Sequence, residues 1–236
     1  MIRINKYLAE NGGVSRREAD RLIEKGAVTV DGEPATVGMM IDEDNCLVCV
    51  GQKTITRNCS RHYYALYKPA GYICSAVRQS RSDRLCTDLI HTDARLFCAG
   101  RLDKDSEGLI LMTDDGELTN RILRSRYGHE KEYIVELSAS CGDDVMEAIG
   151  RGGLDIGCER LTKACSISRL SDRSFDIVLT EGMNRQIRRV FELFGYDVIS
   201  LKRIRFMNID LTGLDSGGYR ELSKDEIDKI RKTAAV

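Results

Sequence analysis

Asp103 is the residue whose setting asks for chemistry. In the stretch GRLDKDSEGLILMTDDG, residues 100–116, it has Arg101 two positions before it and Lys104 directly after. The apolar run Leu109–Met112 follows and stops at Asp114-Asp115-Gly116, a turn signal. A short run that is apolar at every position predicts a strand buried on both faces. Asp103 therefore belongs to a loop on the approach to a core strand, where a carboxylate is either solvated or at work. The same residues, Asp103-x-Asp105-x-Glu107-Gly108, have the form of half a calcium loop, with Ile110 at its apolar position. Asp114 stands where a bidentate Glu is required, a strand run fills 109–112, and no amphipathic helix precedes. The pattern argues against calcium.

Other reactive residue types give weaker signals. His129-Glu130 begins like the zinc-protease helix motif, but Tyr133 occupies the place of the second histidine. His62, His91 and His129 have no neighbours that suggest a triad, and neither a G-x-S-x-G elbow nor a phosphate loop is present. Cys46-x-x-Cys49 followed by Cys59-x-x-His62 has a spacing that suits zinc. Against it, Cys46, Val48 and Val50 alternate with Leu47 and Cys49 as in a strand, where cysteine packs as a small apolar residue. No metal is expected. Nine cysteines at irregular spacing, an odd count, argue against a closed disulfide framework and for a reducing compartment.

Charge narrows the field by its distribution. The net charge of −1 excludes a globally basic nucleic-acid binder. Two local clusters stand out. Residues 185–205 carry Arg185, Arg188, Arg189, Lys202, Arg203 and Arg205 against Glu192 and Asp197. The first 25 residues carry Arg3, Lys6, Arg16, Arg17, Arg21 and Lys25, with acids interleaved. No run approaches the ~20 apolar residues of a membrane span, and MIRINKYLAENGG lacks the apolar centre of a signal peptide. A cytoplasmic protein is expected.

These residues need elements to position them. Residues 1–50 read as a small module. Ile4, Tyr7 and Leu8 have helical spacing, and Ser15-Arg16-Arg17-Glu18 predicts a capping box that opens a second helix with Ala19, Leu22 and Ile23 inside. Gly26 stops that helix, Asp31-Gly32 predicts a hairpin turn, and a strand at 46–50 closes the module. The helix start at Arg16 and Arg17 offers cations and free amides together, a place for phosphate. Residues 51–61 read as a linker. Beyond it, strands are expected at 63–67, 109–113, 132–137 and 175–180. Helices are expected at 117–124, 143–149, 184–194 and 223–232, the third with Ile187, Val190, Phe191 and Phe194 inside and its arginines outside. This mixture predicts an α+β fold with a mixed sheet.

Taken together, three segments resemble one enzyme family. GRLDKDSEGLILMTDDGEL, HEKEYIVEL and EGMNRQIRRVFELFGYDVISLKRIRF occur in the order and approximate spacing of the RsuA/RluB/RluF family of ribosomal RNA pseudouridine synthases. GRLDKDSEGL, HEKEY and NRQIRR look most like the RluF branch. The N-terminal module is similar to the ribosomal-protein-S-four-like RNA-binding domain of these enzymes. The resemblance implies two domains, 1–55 for RNA binding and 62–236 for catalysis. Several relatives carry a long Lys/Arg-rich tail, whereas this sequence stops at KIRKTAAV; weaker non-specific RNA affinity is the expectation.

The resemblance also implies a site. Asp103 matches the catalytic aspartate of enzymes that detach uracil from ribose, rotate it and rejoin it through carbon without metal or organic cofactor. An ordinary aspartate is ionised at neutral pH, and Arg188 matches the salt-bridge partner that orients it, with Arg185 and Arg189 next in line. Tyr133 matches the aromatic that packs on the base, Leu201 the apolar pocket wall, and Arg101 the arginine placed where a flipped nucleotide leaves its gap. Arg3, Lys6, Arg16, Arg17, Arg185 and Arg189 are the expected phosphate contacts. The implied partner is ribosomal RNA, large-subunit (23S-type) first, with small-subunit RNA or tRNA as alternatives; the implied role is in ribosome biogenesis, as a monomer. A non-catalytic RNA-binding or ribosome-assembly factor is the competing class, and it needs neither Asp103 nor Arg188.

Overall fold

Apolar spacing builds the first unit. The computed structural model describes residues 1–57, 60–123 and 128–234. Backbone contacts divide it into two units, one of Met1–His62 with Thr92–Leu96 and Asp114–Gly116, the other of the remainder. In the first, β1 (Ile2–Arg3) leads into α1 (Ile4–Asn11), which buries Ile4, Tyr7 and Leu8. Helix α2 (Arg16–Glu24) starts at Ser15, whose Oγ accepts the Glu18 amide at 3.1 Å. The reciprocal half of the expected capping box is absent among the described residues. The Glu18 carboxylate takes Arg21 at 3.3 Å, one turn along the exposed face, where an opposite charge outcompetes a backbone amide.

The turn chemistry holds as expected. Asp31 and Gly32 both have positive φ, 53° and 88°, and join β2 (Val28–Val30) to β3 (Glu33–Pro34). Strand β4 (Met40–Ile41) pairs with β1. Cys49 lies in β5 (Val48–Val50), opposite Thr54, as the strand pattern requires; Cys59 lies outside the described residues. The linker expected at 51–61 is not one throughout. Residues Lys53–Ile55 form β6, an edge strand on β5. Its solvent face is polar, which hid it, but Ile55 is buried and its carbonyl accepts the Tyr7 hydroxyl at 3.0 Å.

The second unit is a mixed nine-stranded sheet. Its strands are β7 (Tyr63–Lys68), β10 (Phe97–Ala99), β11 (Glu107–Thr113), β12 (Lys131–Leu137), β13 (Ser166–Arg169), β14 (Ser174–Leu179), β15 (Val198–Phe206), β16 (Ile209–Asp210) and β17 (Tyr219–Glu221). A separate pair, β8 (Tyr72–Ile73) with β9 (Arg84–Leu85), runs into a 3-10 turn at Cys86–Leu89. The main order is β13-β14-β12-β15-β11-β7-β17, with β10 added on β11 and β16 on β15. Among the described residues of this sheet only β11 and β15 pair in parallel.

Helices cover the sheet in two groups. α4 (Asp143–Arg151) and α5 (Gln186–Leu193) contribute to a core with Tyr133, Val135, Phe175, Ile177 and Leu201. α3 (Gly116–Leu123) and α6 (Lys224–Thr233) contribute to a second core with Ala65, Leu109, Leu111 and Phe206. Arg124, at the end of the expected 117–124 helix, lies outside the described residues. The centre of β11 is apolar because both faces are covered: Leu109 to Met112 are all buried. Strand β15, nine residues long and central, was not among the expected strands. Its charged positions mask the pattern. No helix among the described residues is long and apolar enough to cross a membrane.

Gly108 marks the tightest point of the sheet. It pairs with Arg203 across the parallel junction at φ +112°, and a Cβ there would lie 2.2 Å from the Arg203 carbonyl oxygen. That atom is backbone and cannot swing away. Gly153 is a useful comparator, with φ +78° and nothing within 4 Å. Gly108→Ala is expected to cost about 3 kcal/mol or more in urea unfolding. Gly153→Ala should cost only the ~1 kcal/mol of left-handed backbone. Equal costs would show that the junction is not tight.

Candidate active site

The loop that leads into β11 opens on a cleft of about 830 Å³ in the second unit. Asp103, Arg101, Tyr133, Leu201 and Arg185 all line it, so the structure gathers five of the sequence-predicted residues in one place. The Asp103 side chain is 31% exposed, neither buried nor freely solvated. Its backbone is held: the Ser106 amide donates to the Asp103 carbonyl at 3.1 Å, and the Gly71 amide to the Lys104 carbonyl at 2.6 Å.

Lys68 fixes this loop from behind and was not foreseen. It is fully buried at the end of β7, and its Nζ donates to the carbonyls of Ser106 at 2.5 Å, Pro69 at 3.1 Å and Lys104 at 3.4 Å. Burial lowers its pKa, while nearby thiols, Asp105 and Asp103 pull the other way. The available signal was a lysine closing the apolar run YYALYK before a proline.

The arginines differ from the expected arrangement. Asp103 has Arg185 as its ion-pair partner among the described residues, at 3.8 Å. Arg188 instead reaches Asp105 at 3.3 Å, the Ser106 hydroxyl at 3.3 Å and the Val198 carbonyl at 2.8 Å. The Arg188–Asp103 pair is therefore corrected to Arg185–Asp103. The cause is backbone geometry. Arg185 caps α5 in the left-handed region, φ 52° and ψ 33°, a conformation rare outside glycine. Arg188, one turn on, is only 12% exposed and lies between the helix, the start of β15 and the loop, so it is neither solvated nor at Asp103. Arg189 bonds the carbonyls of Ile156 and Gly157 and does not line the cleft.

Buried polar contacts shape the turn that presents Arg185. Gln186 donates to Glu181 at 2.7 Å and accepts the Met183 amide at 3.0 Å. Glu181 is also bound by the Lys163 amide at 2.8 Å and Arg160 at 2.6 Å. Tyr133 and Leu201 supply the apolar wall, both nearly buried on adjacent strands β12 and β15. Two further cations line the cleft, Lys131 and Arg203, and neither was singled out as a site residue. Arg203 is buried and donates from Nε to the Leu109 carbonyl at 2.7 Å. Desolvation, then the Arg203 charge, pushes the Lys131 pKa down to about 8.

The arrangement holds a carboxylate, an apolar wall with an aromatic ring, and cations around one opening. It fits a planar base with an attached sugar and phosphates. The family model described as RNA pseudouridylate synthase matches residues 62–193, more than half of the chain, and that of the S4 domain matches residues 2–45. This chain belongs to the RNA pseudouridylate synthase family.

Its relatives agree on the reaction. The chain is 40% identical over 227 residues to the dual-specificity RNA pseudouridine synthase RluF of Shigella flexneri, covering 96% of this chain and 77% of that one. It is 33% identical over 240 residues to the ribosomal large subunit pseudouridine synthase B of Bacillus subtilis (strain 168), covering 99% and 97%. A crystal structure of a pseudouridylate synthase superposes with a TM-score of 0.71 at 29% identity, covering 98% and 100%. The synthase is thus an isomerase built as an S4 RNA-binding domain followed by a pseudouridine synthase domain.

Two outcomes check the geometry of this synthase. Arg185→Gln removes an exposed charge and should cut pseudouridine formation at least about tenfold, some 1.4 kcal/mol of barrier, with an unchanged melting temperature. Arg188→Ala removes a cross-link and should lower stability by roughly 2 kcal/mol. Full turnover by Arg185→Gln would remove it as the partner of Asp103. The second outcome concerns pH. Lys131 titrates near 8 in the fold against an ordinary 10.5. Between these values the unfolded chain binds the extra proton, so this lysine makes stability rise with pH across the window. Below it, the cost of the buried charge is fully present. Lys131→Met should abolish that rise, read as the difference between wild-type and variant unfolding curves from pH 7.5 to 10.5. Parallel curves would show that Lys131 keeps its ordinary pKa.

Proposed function

We propose that this pseudouridine synthase modifies a uridine in large-subunit ribosomal RNA, with Asp103 as its catalytic carboxylate. The observation that carries the reading is Asp103 held at the mouth of the cleft on an immobilised backbone, facing an opening walled by Tyr133 and Leu201. Isomerisation breaks the bond from N1 to the sugar and makes one from C5. The C5 proton is lost and N1 gains one, so nothing is oxidised or reduced. Asp103 either adds to the anomeric carbon or takes a sugar proton to give a glycal; both routes need the same ionised carboxylate. Arg185 holds that carboxylate, Tyr133 stacks on the base and assists proton transfer, and Arg101 fills the gap left by the flipped nucleotide.

Leaving the stack costs the uridine a few kcal/mol, which phosphate contacts elsewhere must offset. Arg16 and Arg17 suit that task. Both are exposed at the start of α2, and their nearest candidate acids are engaged elsewhere: Asp20 by Asn5 at 2.9 Å and Glu18 by Arg21. Arg3 is exposed as well, whereas Lys6 pairs with Glu10 at 3.7 Å. The large-subunit assignment rests on the Bacillus relative's name, and the dual specificity of the Shigella relative makes tRNA the second substrate to test.

Mapping pseudouridine across total RNA, with the wild-type chain, without it and with Asp103→Asn, tests both parts. A large-subunit position should appear only with the wild type, while Asp103→Asn still binds RNA. Turnover by Asp103→Asn above background would remove it from the catalytic role. A position confined to tRNA or small-subunit RNA would overturn the substrate while leaving the chemistry intact.

A further inference from the structure

We propose that Cys74, Cys86 and Cys98 form a binding site for one zinc ion beside the cleft. Their three sulfur atoms lie within 4.8 Å of one another, with Cys74 Sγ and Cys86 Sγ 3.6 Å apart. Four-coordinate zinc with Zn–S bonds of about 2.3 Å sets sulfur atoms about 3.8 Å apart. One pair already meets that spacing, and the others need side-chain adjustments of no more than about 1 Å to meet the same value. The set contains three thiols and neither carboxylate nor imidazole, which favours a soft metal over magnesium or calcium.

The surroundings suit a charged metal–thiolate group. The Leu102 amide donates to Cys74 Sγ at 3.4 Å, an outer contact of the kind that orients metal ligands. The buried Lys68 ammonium acts electrostatically on Cys74 and Cys86. Three thiolates and Zn²⁺ carry a net charge of −1, which that ammonium offsets. Binding converts thiols to thiolates and releases their protons to solvent, so affinity rises with pH. Cys86 is buried, whereas Cys74 and Cys98 line the cleft. The fourth coordination position therefore faces the cleft and takes a water molecule.

The three ligands come from different segments. Cys74 follows β8, Cys86 opens the 3-10 turn, and Cys98 is the middle residue of β10. The ion ties these segments beneath Gly100–Asp103, one residue from the catalytic carboxylate through Leu102. It positions the cleft floor and touches no reacting atom. Ligands spaced twelve positions apart match no short zinc motif, which is why the sequence does not announce them.

The test uses the full chain purified under reducing conditions without added chelator. Metal analysis should give one zinc per chain. Cobalt replacing it should show thiolate-to-cobalt charge-transfer absorption, and three thiols should become reactive when zinc is removed. Cys74→Ser and Cys98→Ser should each lose stoichiometric zinc, while Cys46→Ser with Cys49→Ser should keep it. If the single variants do not fold, the wild-type cobalt spectrum and thiol count decide. No zinc, with no charge-transfer band in excess cobalt, overturns the proposal. So does zinc that survives both single variants, or a disulfide among the three sulfurs in place of bound metal.

Discussion

The ammonium of Lys68 holds the site together. It has no exposure to solvent, and an ammonium taken out of water costs several kcal/mol unless acceptors replace its hydration. Here the acceptors are backbone carbonyls on both sides of one turn, those of Pro69, Lys104 and Ser106. The Lys104 carbonyl also takes the Gly71 amide. Any shift of the 104–106 backbone would strip the charge of its partners, so the loop has one low-energy position. A carboxylate carried by that loop is aimed by the backbone and does not depend on strong side-chain bonds of its own. This reconciles two facts about Asp103: its path is fixed, and its nearest cation stands off at 3.8 Å.

Arg188 extends the same constraint to the second half of the sheet. One guanidinium joins α5, the start of β15 through the Val198 carbonyl, and the loop through Asp105 and Ser106. A few residues away, Gly108 lets β11 and β15 approach in parallel. Loop, helix and strand are thus locked in register, and the register puts Tyr133, Leu201 and Asp103 around one opening. Arg185 bonds the same carboxylate, Asp105, at 3.3 Å and stands 3.8 Å from Asp103, so the two arginines share the loop.

How legible this was from sequence depends on the kind of information each residue carries. β11 was plain because four consecutive apolar residues admit few readings, and the Asp31-Gly32 turn was plain because its backbone requires those residue types. The strands β6 and β15 were hidden. β6 is a polar edge, and β15 breaks its apolar alternation with Lys202, Arg203 and Arg205, each contacting partners distant in sequence: the Tyr67 ring, the Leu109 carbonyl, and Glu132 with Glu130. The grouping of Asp103, Tyr133 and Leu201 around one cleft was legible because motif resemblance carries position. The division of labour between Arg185 and Arg188 was not, because it turns on one left-handed residue at the start of α5 that spacing does not encode.

The basic stretch 185–205 shows why counting cations misjudges binding. Its six cations suggest a surface for phosphates, yet the fold spends most of them internally. Arg203 is buried under β11, Arg205 is held by two glutamates, Arg188 fastens the loop, Arg189 bonds the 156–157 carbonyls, and Lys202 lies over Tyr67. Arg185 alone in this stretch is both exposed and directed at the cleft. A nearly neutral chain can therefore still bind RNA with selectivity. Within this stretch most of the charge is neutralised by the fold itself, so the number of cations overstates what it offers to phosphate. Arg101 is exposed at the same cleft, and Arg3, Arg16 and Arg17 are exposed in the S4 domain. On the proposed reading, the energy to lift a uridine from its stack comes from RNA whose shape places phosphates against exposed cations, which makes recognition and base flipping a single requirement.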